Sequence, residues 1–156
     1  MADSNWASYV GMVTGVIGAV MGYISYRRSN EIKSLDLRLE YRKSINDCVS
    51  AIAKAEKLLS YANKSRERVA AGIGNYHSGA MQHWKQEYEA DTNEFKKLVG
   101  YVPSQDGNYD HLTFKQLESK LVEIHKLQNE IKALIDKYQS ALDADDKTRE
   151  YIRSKH

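Results

Sequence analysis

The chain has 156 residues with one proline, one cysteine and a net charge of +2. This length accommodates one modest domain and excludes two well-cored domains. The small net charge excludes a polycation, and we expect neither DNA nor long RNA as a partner. A lone cysteine excludes an internal disulfide and favours a reduced, intracellular setting. A single proline is typical of long helices with few irregular loops.

The first predicted element is a transmembrane helix over Trp6–Tyr26. These 21 residues include no Asp, Glu, Lys or Arg. A helix of that length spans about 30 Å, the hydrocarbon thickness of a bilayer. Aromatic residues that prefer the membrane interface stand at its two ends, Trp6 and Tyr9 at one and Tyr23 and Tyr26 at the other.

The charges that flank this segment predict its orientation. Arg27 and Arg28 follow the apolar stretch at once, and no basic side chain precedes it. The positive-inside rule therefore places the C-terminal part in the cytoplasm, with a single pass through the cell inner membrane. We divide the chain into an anchor, residues 1–28, and a cytoplasmic domain, residues 29–156. A cleaved signal peptide and a buried helix of a soluble protein are the alternatives for the apolar segment.

Small residues form one stripe along this segment, with alternating spacings of three and four. Small side chains allow membrane helices to approach closely, and a 3.5-residue period favours a left-handed bundle. The stripe therefore predicts self-association into a homo-oligomer. Its members are Ser8, Gly11, Gly15, Gly18, Gly22, Ser25 and Ser29.

The cytoplasmic domain is predicted to contain three long helices in an antiparallel bundle, so the fold class is all-α. The first helix covers about 32–68 and continues directly from the membrane span, because no Gly or Pro separates them. Gly72 and Gly74 stop it, Ser78 caps a second helix over about 79–99, and a loop containing Pro103 follows. Thr113 and Gln116 form a capping box that starts the third helix. The acidic residues at 143–146 are expected to interrupt this helix before a short C-terminal helix at 148–154.

Apolar periodicity marks the inward face of each helix. The first helix uses Ile32, Leu35, Leu39, Ile45, Val49, Ile52, Leu58 and Leu59. The second uses Met81, Trp84, Tyr88, Phe95, Leu98 and Val99, and the third uses Leu117, Leu121, Ile124, Leu127, Ile131, Leu134, Ile135, Tyr138 and Leu142.

Catalytic motifs are absent from the sequence. No phosphate-binding loop, nucleophile elbow or zinc-ligand pattern occurs, and His83 with Glu87 is a single pair at the spacing of two ligands on one helix face. We therefore predict a binding protein that is not an enzyme and uses no metal or cofactor.

Two groups combine aromatic rings with basic and amide side chains, which suits stacking on bases and hydrogen bonding to phosphate. The first cluster contains Lys64, Arg66, Arg68, Asn75, Tyr76, His77, Trp84 and Lys85. The second cluster contains Tyr101, Asn108, Tyr109, His111 and Lys115. For each cluster the alternative is a turn with a solvated basic face.

The order of an apolar span, Arg27–Arg28 and a helical domain without catalytic motifs resembles the small membrane effectors of type III CRISPR systems. The resemblance covers the whole chain as an architecture and transfers no ligand contact to a particular residue. It implies a homo-tetramer whose cytoplasmic domain senses a cyclic oligoadenylate, above all cyclic tetra-adenylate. Ligand binding would then open a pore or damage the bilayer lipid. A membrane-anchored scaffold with a protein partner, or a holin-like protein, is the alternative function.

Overall fold

The computed structural model describes the backbone of residues 4–155 and the side chains of residues 15, 17–29 and 32–155. Three helices follow one another: α1 Ser4–Gly72, α2 Gly79–Gly100 and α3 Phe114–Ser154. Residues 4–155 contain no β-strand. The predicted all-α class with three long helices is therefore confirmed.

Helix α1 is continuous for 69 residues, which corresponds to about 100 Å at 1.5 Å per residue. The apolar N-terminal segment and the first helix of the bundle are thus one rod, as the sequence predicted. Among the described side chains of α1, those of the C-terminal half contribute to the hydrophobic core, which begins at Leu37 and Tyr41. The backbone that connects the two halves has no break.

The N-terminal half of α1 lies outside the bundle. Every described side chain between Gly15 and Ser29 is exposed. Among the residues that the structure describes, no helix is long and apolar enough to cross a membrane. The predicted span Trp6–Tyr26 thus has no support from the structure. The side chains of residues 6–14 and 16, including the stripe positions Ser8 and Gly11, lie outside those described.

The helix ends follow the predicted local signals. Gly74 has a φ of 73°, a left-handed conformation that glycine adopts without steric cost just after a helix. The Ser78 hydroxyl accepts a hydrogen bond from the Met81 amide at 3.3 Å. The Gln116 side chain accepts one from the Thr113 amide at 2.9 Å. The stop of α1 and the caps of α2 and α3 are therefore confirmed.

The three helices run up, down and up, so sequence neighbours are antiparallel, as predicted. Helices α1 and α3 are consequently parallel, and they form by far the largest interface of the bundle. Their pairing appears at two heights: the Gln128 amide donates to the Ser44 carbonyl at 2.9 Å, and the Ser65 hydroxyl donates to Asp145 at 2.9 Å. This parallel pairing brings the C-terminal ends of α1 and α3 together.

The predicted apolar face of α3 is confirmed, since its members are buried except for Ile135, which is half-buried. Two assignments are wrong. Val99 is 40% exposed, because the core contact of this turn is made by its neighbour Leu98, one residue and about 100° away around the helix. Ile32, Leu35 and Leu39 are more than half exposed, because they lie on the face of α1 that points away from α3.

The predicted break at 143–146 is also wrong, because α3 continues without interruption to Ser154. Asp145 explains the difference. Its side chain is only 1% exposed and turns inward, where it accepts from Ser65 and lies 3.1 Å from the Arg66 Nε. A carboxylate that is paired inside the fold has no reason to compete with the helix backbone.

Two buried tyrosines provide a matched test of the core. Tyr41 is fully buried and its hydroxyl has no hydrogen-bond partner among the described residues, whereas the Tyr138 hydroxyl donates to Asp91 at 2.8 Å. We expect Tyr41→Phe to leave the free energy of unfolding unchanged or about 1 kcal/mol higher, and Tyr138→Phe to lower it by about 1 to 2 kcal/mol. Thermal unfolding followed by circular dichroism measures both.

The dependence of stability on alkaline pH provides a second test of the buried Tyr41. Burial, then the nearby Tyr109 and Glu123, raises the pKa of Tyr41 to about 12. The unfolded chain ionises this phenol near its usual pKa of about 10. The stability that depends on a neutral Tyr41 is therefore complete below pH ~10 and lost progressively between pH ~10 and ~12. Tyr41→Phe should lose less stability over that range than the natural chain, and equal losses would contradict the assignment.

Candidate functional site

A basic groove lies between the C-terminal ends of α1 and α3 and has a volume of about 370 Å³. Both helices contribute cationic side chains at intervals that place them on one face, Lys64 and Arg68 from α1 and Arg149 and Arg153 from α3. Apolar atoms of Val69 and Ile152 line it between the charges. The lining consists of Tyr61, Lys64, Ser65, Arg68, Val69, Gly72, Arg149, Ile152 and Arg153; we call it the basic groove.

Four cations and no carboxylate line the basic groove. Within the described residues, Lys64, Arg68 and Arg153 are exposed and make no ion pair or side-chain hydrogen bond. Arg149 differs because it is held in place: it lies 2.6 Å from Asp146 and donates to the Ser65 hydroxyl. The groove therefore presents one positioned guanidinium and three unpaired charges, an arrangement suited to an anion with several acceptor oxygens.

The dipoles of the two helices reduce this positive charge without cancelling it. The C-terminus of a helix carries the equivalent of about half a negative charge. The ends of α1 and α3 together thus contribute about one negative charge, against four cationic side chains. Asp146, which pairs with Arg149, removes one more. The groove still retains a net positive charge, so stabilisation of the helix ends does not account for all of its cations.

Below the groove, a polar network connects α1 with α3. Ser65 accepts from Arg149 and donates to the buried carboxylate of Asp145. Asp145 also lies beside Arg66, whose guanidinium is 4.8 Å from the centre of the Trp84 ring. Because Ser65 is shared, a change in the position of Arg149 acts directly on the contact between the two helices.

A second cavity of about 260 Å³ lies on the other side of Arg66, where α1 turns into α2. Arg66, Asn75 and Trp84 line it, together with Ser78 and Glu87. The indole N–H of Trp84 is already occupied, since it donates to Asn63 at 3.0 Å. This cavity has one cation and one carboxylate, so it is less suited to an anion than the basic groove.

The structure divides the first predicted cluster among three places. Lys64 and Arg68 line the basic groove, whereas Arg66, two residues and about 200° around the helix from Lys64, lines the second cavity with Asn75 and Trp84. The remaining members meet at the surface of the turn. There the Lys85 ammonium lies 4.7 Å from the Tyr76 ring, and Tyr76 contacts His77 edge-on.

The second predicted cluster does not form one site, and part of it shapes the loop between α2 and α3. The Tyr109 hydroxyl donates to the Ser104 carbonyl at 2.6 Å, and Asn108 accepts from the Asp110 amide at 2.9 Å. A Cβ at Gly107 would lie 2.5 Å from the Tyr109 ring, so a larger residue there would have to displace that ring.

The other members of the second cluster are spread over the surface. Tyr101 borders a cavity of about 470 Å³ that also contains Lys120 and Glu123, Lys115 borders a groove beside Leu37, and His111 is exposed.

The described residues offer few candidates for a metal site or a reactive thiol. Within the described residues, no group of three or more His, Cys, Asp or Glu side chains is arranged to hold a metal ion. His83 and Glu87 lie 3.4 Å apart on the exposed face of α2. Burial raises the pKa of the Cys48 thiol, which keeps it protonated and unreactive.

The part of the basic groove that α3 contributes was not predicted from the sequence. Arg149 and Arg153 have the i, i+4 spacing of one helix face, which was a usable signal, but they were assigned to a separate short helix. Comparisons add no further assignment: no protein family, no curated protein and no solved structure matches the chain.

Proposed function

We propose that the protein is a membrane effector of antiviral defence that senses a nucleotide second messenger. A cyclic oligoadenylate, with cyclic tetra-adenylate as the first candidate, binds the cytoplasmic domain and changes the packing of oligomeric N-terminal helices in the inner membrane. The altered packing opens a pore or disturbs the bilayer. The observation that carries the proposal is that α1 both lines the basic groove and continues into the apolar N-terminal segment.

The charge of the basic groove supports an anionic ligand. Phosphodiester oxygens accept charge-assisted hydrogen bonds from Arg and Lys, and Arg offers a planar fork that suits two oxygens at once. Tyr61, which is 61% exposed at the groove, provides an aromatic face for a base. A nucleotide has both chemical parts, which inorganic phosphate and most peptides lack.

The small volume of the groove requires the proposed ring to be shared among protomers. About 370 Å³ is at the lower end of the usual range for small-molecule pockets, about 300–1,000 Å³. A ring of four nucleotides exceeds one such groove, so it would contact several copies of the chain. A homo-tetramer offers one groove for each phosphate of cyclic tetra-adenylate.

Transmission to the membrane is then mechanical. A ligand can shift the equilibrium between two packings only by its difference in affinity for them. Ligand phosphates that draw Arg149 away from Ser65 and Asp146 would change the contact between α3 and α1 at its C-terminal end. Because α1 is one continuous helix, a rotation there reaches the N-terminal segment.

Titration of the full chain in detergent tests the proposal. Isothermal calorimetry with rings of three, four and six adenylates should show saturable binding of cyclic tetra-adenylate at micromolar concentrations, weakening as salt is added. A linear tetra-adenylate is the matched control for ring shape. Absence of binding by every ring size at micromolar concentrations would discard the ligand class. Capture of one stoichiometric protein partner, unaffected by nucleotides, would instead favour the anchored scaffold.

A further inference from the structure

The exposed part of α1 carries a row of large apolar side chains. Ile32, Leu35 and Leu39 are 54%, 55% and 59% exposed. At 100° per residue, Ile32 and Leu39 lie within about 20° of the direction opposite Tyr41, and Tyr41 is the fully buried residue at the start of the core. The row therefore points away from α2 and α3, and no residue that the structure describes covers it.

Ile32 and Leu39 of this row continue the register of the small-residue stripe, whereas Leu35 lies beside it. The described part of the stripe ends in Ser25 and Ser29, and steps of three, four and three residues lead from Ser29 to Ile32, Asp36 and Leu39. Alternating steps of three and four are the heptad repeat of a coiled coil. Since α1 has no break between these positions, the stripe continues through Ile32, Asp36 and Leu39 as one seam.

We infer that residues 15–39 of α1 form a parallel coiled coil with further copies of this chain, closed by Ile32 and Leu39. The inference rests on the oligomer proposed above and names its cytoplasmic interface. A second copy in parallel orientation places the same small residues, and the same Ile32 and Leu39, opposite each other along the two helices. Most of the stability of a helix in a protein comes from packing of one face, so a partner along the seam also stabilises this exposed part of α1.

One pair of charges just beyond the C-terminal end of the seam is complementary between parallel copies. Arg42 and Asp47 are exposed and make no ion pair within the described residues. Five residues apart and flanking the seam, they hold the g and e′ positions that pair between parallel helices. Leu35 and Glu40 hold the preceding pair of positions, and Arg28 and Lys33 hold the pair before that and repel each other there. They lie beside the predicted membrane surface, where anionic lipid headgroups offset that repulsion.

The coiled coil gives the basic groove a defined place in the assembly. On the same wheel Tyr61 lies about 20° and Arg68 about 40° from Asp36, so the α1 edge of the groove lies on the seam side, while Arg149 and Arg153 border the groove from α3. The grooves of the copies therefore face a common axis beyond the coiled coil. A ring-shaped polyanion with the rotational symmetry of the assembly fits that position, which connects the interface to the ligand.

Cysteine cross-linking of the full chain tests the interface directly. Cysteines introduced by Ile32→Cys or Leu39→Cys should form intersubunit disulfides on mild oxidation, because symmetric seam positions approach within disulfide range. Glu56→Cys, which is exposed and lies about 100° to 120° around α1 from these two positions, is the control and should remain monomeric on a denaturing gel. The natural Cys48 is buried and does not interfere. Equal cross-linking at positions 32, 39 and 56, or none at 32 and 39, would overturn the inference.

A second variant distinguishes this interface from the ligand proposal. Asp36→Leu removes the one carboxylate of the seam and should lower the concentration at which the oligomer dissociates at least tenfold, as measured by sedimentation in detergent. Asp47→Leu should not lower it. Cross-links at 32 and 39 without binding of any cyclic oligoadenylate would retain the coiled coil and reject the ligand. Ligand binding by a chain that shows no such cross-links, and no effect of Asp36→Leu, would reject the coiled coil alone.

Discussion

Reversing two charges in the basic groove, Arg68→Glu with Arg153→Glu, is expected to weaken binding of cyclic tetra-adenylate at least about 100-fold. A hydrogen bond to a charged group contributes about 1.5–3 kcal/mol, so two lost contacts already correspond to that factor. The new carboxylates also repel the phosphates. Isothermal calorimetry on the detergent-solubilised chain measures the change.

The chosen residues separate binding from folding. Arg68 and Arg153 are exposed and unpaired within the described residues, whereas Arg149 supports the helix contact through Ser65. Lys96→Glu with Lys132→Glu makes the same change in net charge at exposed positions outside the groove. This control should bind nearly as tightly as the natural chain. An equal loss of affinity in both variants would mean that the net charge of the protein, and not the basic groove, determines ligand binding.

Measurements of thermal stability test the alternative that the groove cations only stabilise the helix ends. If the groove cations served only the helix dipoles, the double reversal would lower stability by about 0.3–1 kcal/mol per charge and leave nucleotide binding unchanged. If they form a ligand site, added cyclic tetra-adenylate should raise the midpoint of unfolding of the natural chain. That increase should be absent in Arg68→Glu with Arg153→Glu.

Local chemistry explains what the sequence predicted correctly. Gly74, Ser78 and Thr113 act within a few residues of where they stand, by positive φ or by capping the nearest amides. Apolar repeats such as Leu117 to Leu142 carry the period of one helix. Each of these signals depends on neighbouring residues in the sequence, so it predicts local structure without knowledge of the rest of the fold.

Long-range pairing explains what the sequence did not predict. The acidic residues at 143–146 suggest a break when considered alone, but Asp145 is paired with Ser65, eighty residues away. The basic groove needs the parallel register of α1 and α3, which sets Arg68 beside Arg149 and Arg153. Ile32 and Leu39 have the period of a core face, and periodicity does not distinguish a core in one chain from a seam between chains.

Replacing two glycines of the stripe, Gly15→Leu with Gly18→Leu, is expected to weaken self-association at least tenfold, about 1.4 kcal/mol. Small residues are what allow helices in a membrane to approach closely, and two Leu side chains hold the backbones apart. Sedimentation and chemical cross-linking of the full chain measure the change. Leakage of dye-loaded vesicles on addition of cyclic tetra-adenylate should be lost together with the oligomer.

Membrane insertion itself should persist in this variant. Leucine is more favourable than glycine both in a helix, by about 1 kcal/mol, and in the hydrocarbon. A Cβ at Gly15, Gly18 or Gly22 meets no atom of the same chain within 4 Å. Any loss of association therefore comes from contacts between chains.

A matched variant on the other face of α1 tests whether added side-chain volume by itself weakens self-association. Val20→Phe with Ile24→Phe adds volume at positions 53% and 55% exposed, turned about 160° from the neighbouring stripe glycines. It should associate and leak vesicles like the natural chain. An unchanged oligomer in Gly15→Leu with Gly18→Leu would mean that the copies meet elsewhere. A chain that is soluble and monomeric without detergent would remove the membrane from the proposal, because the same residues would then face water.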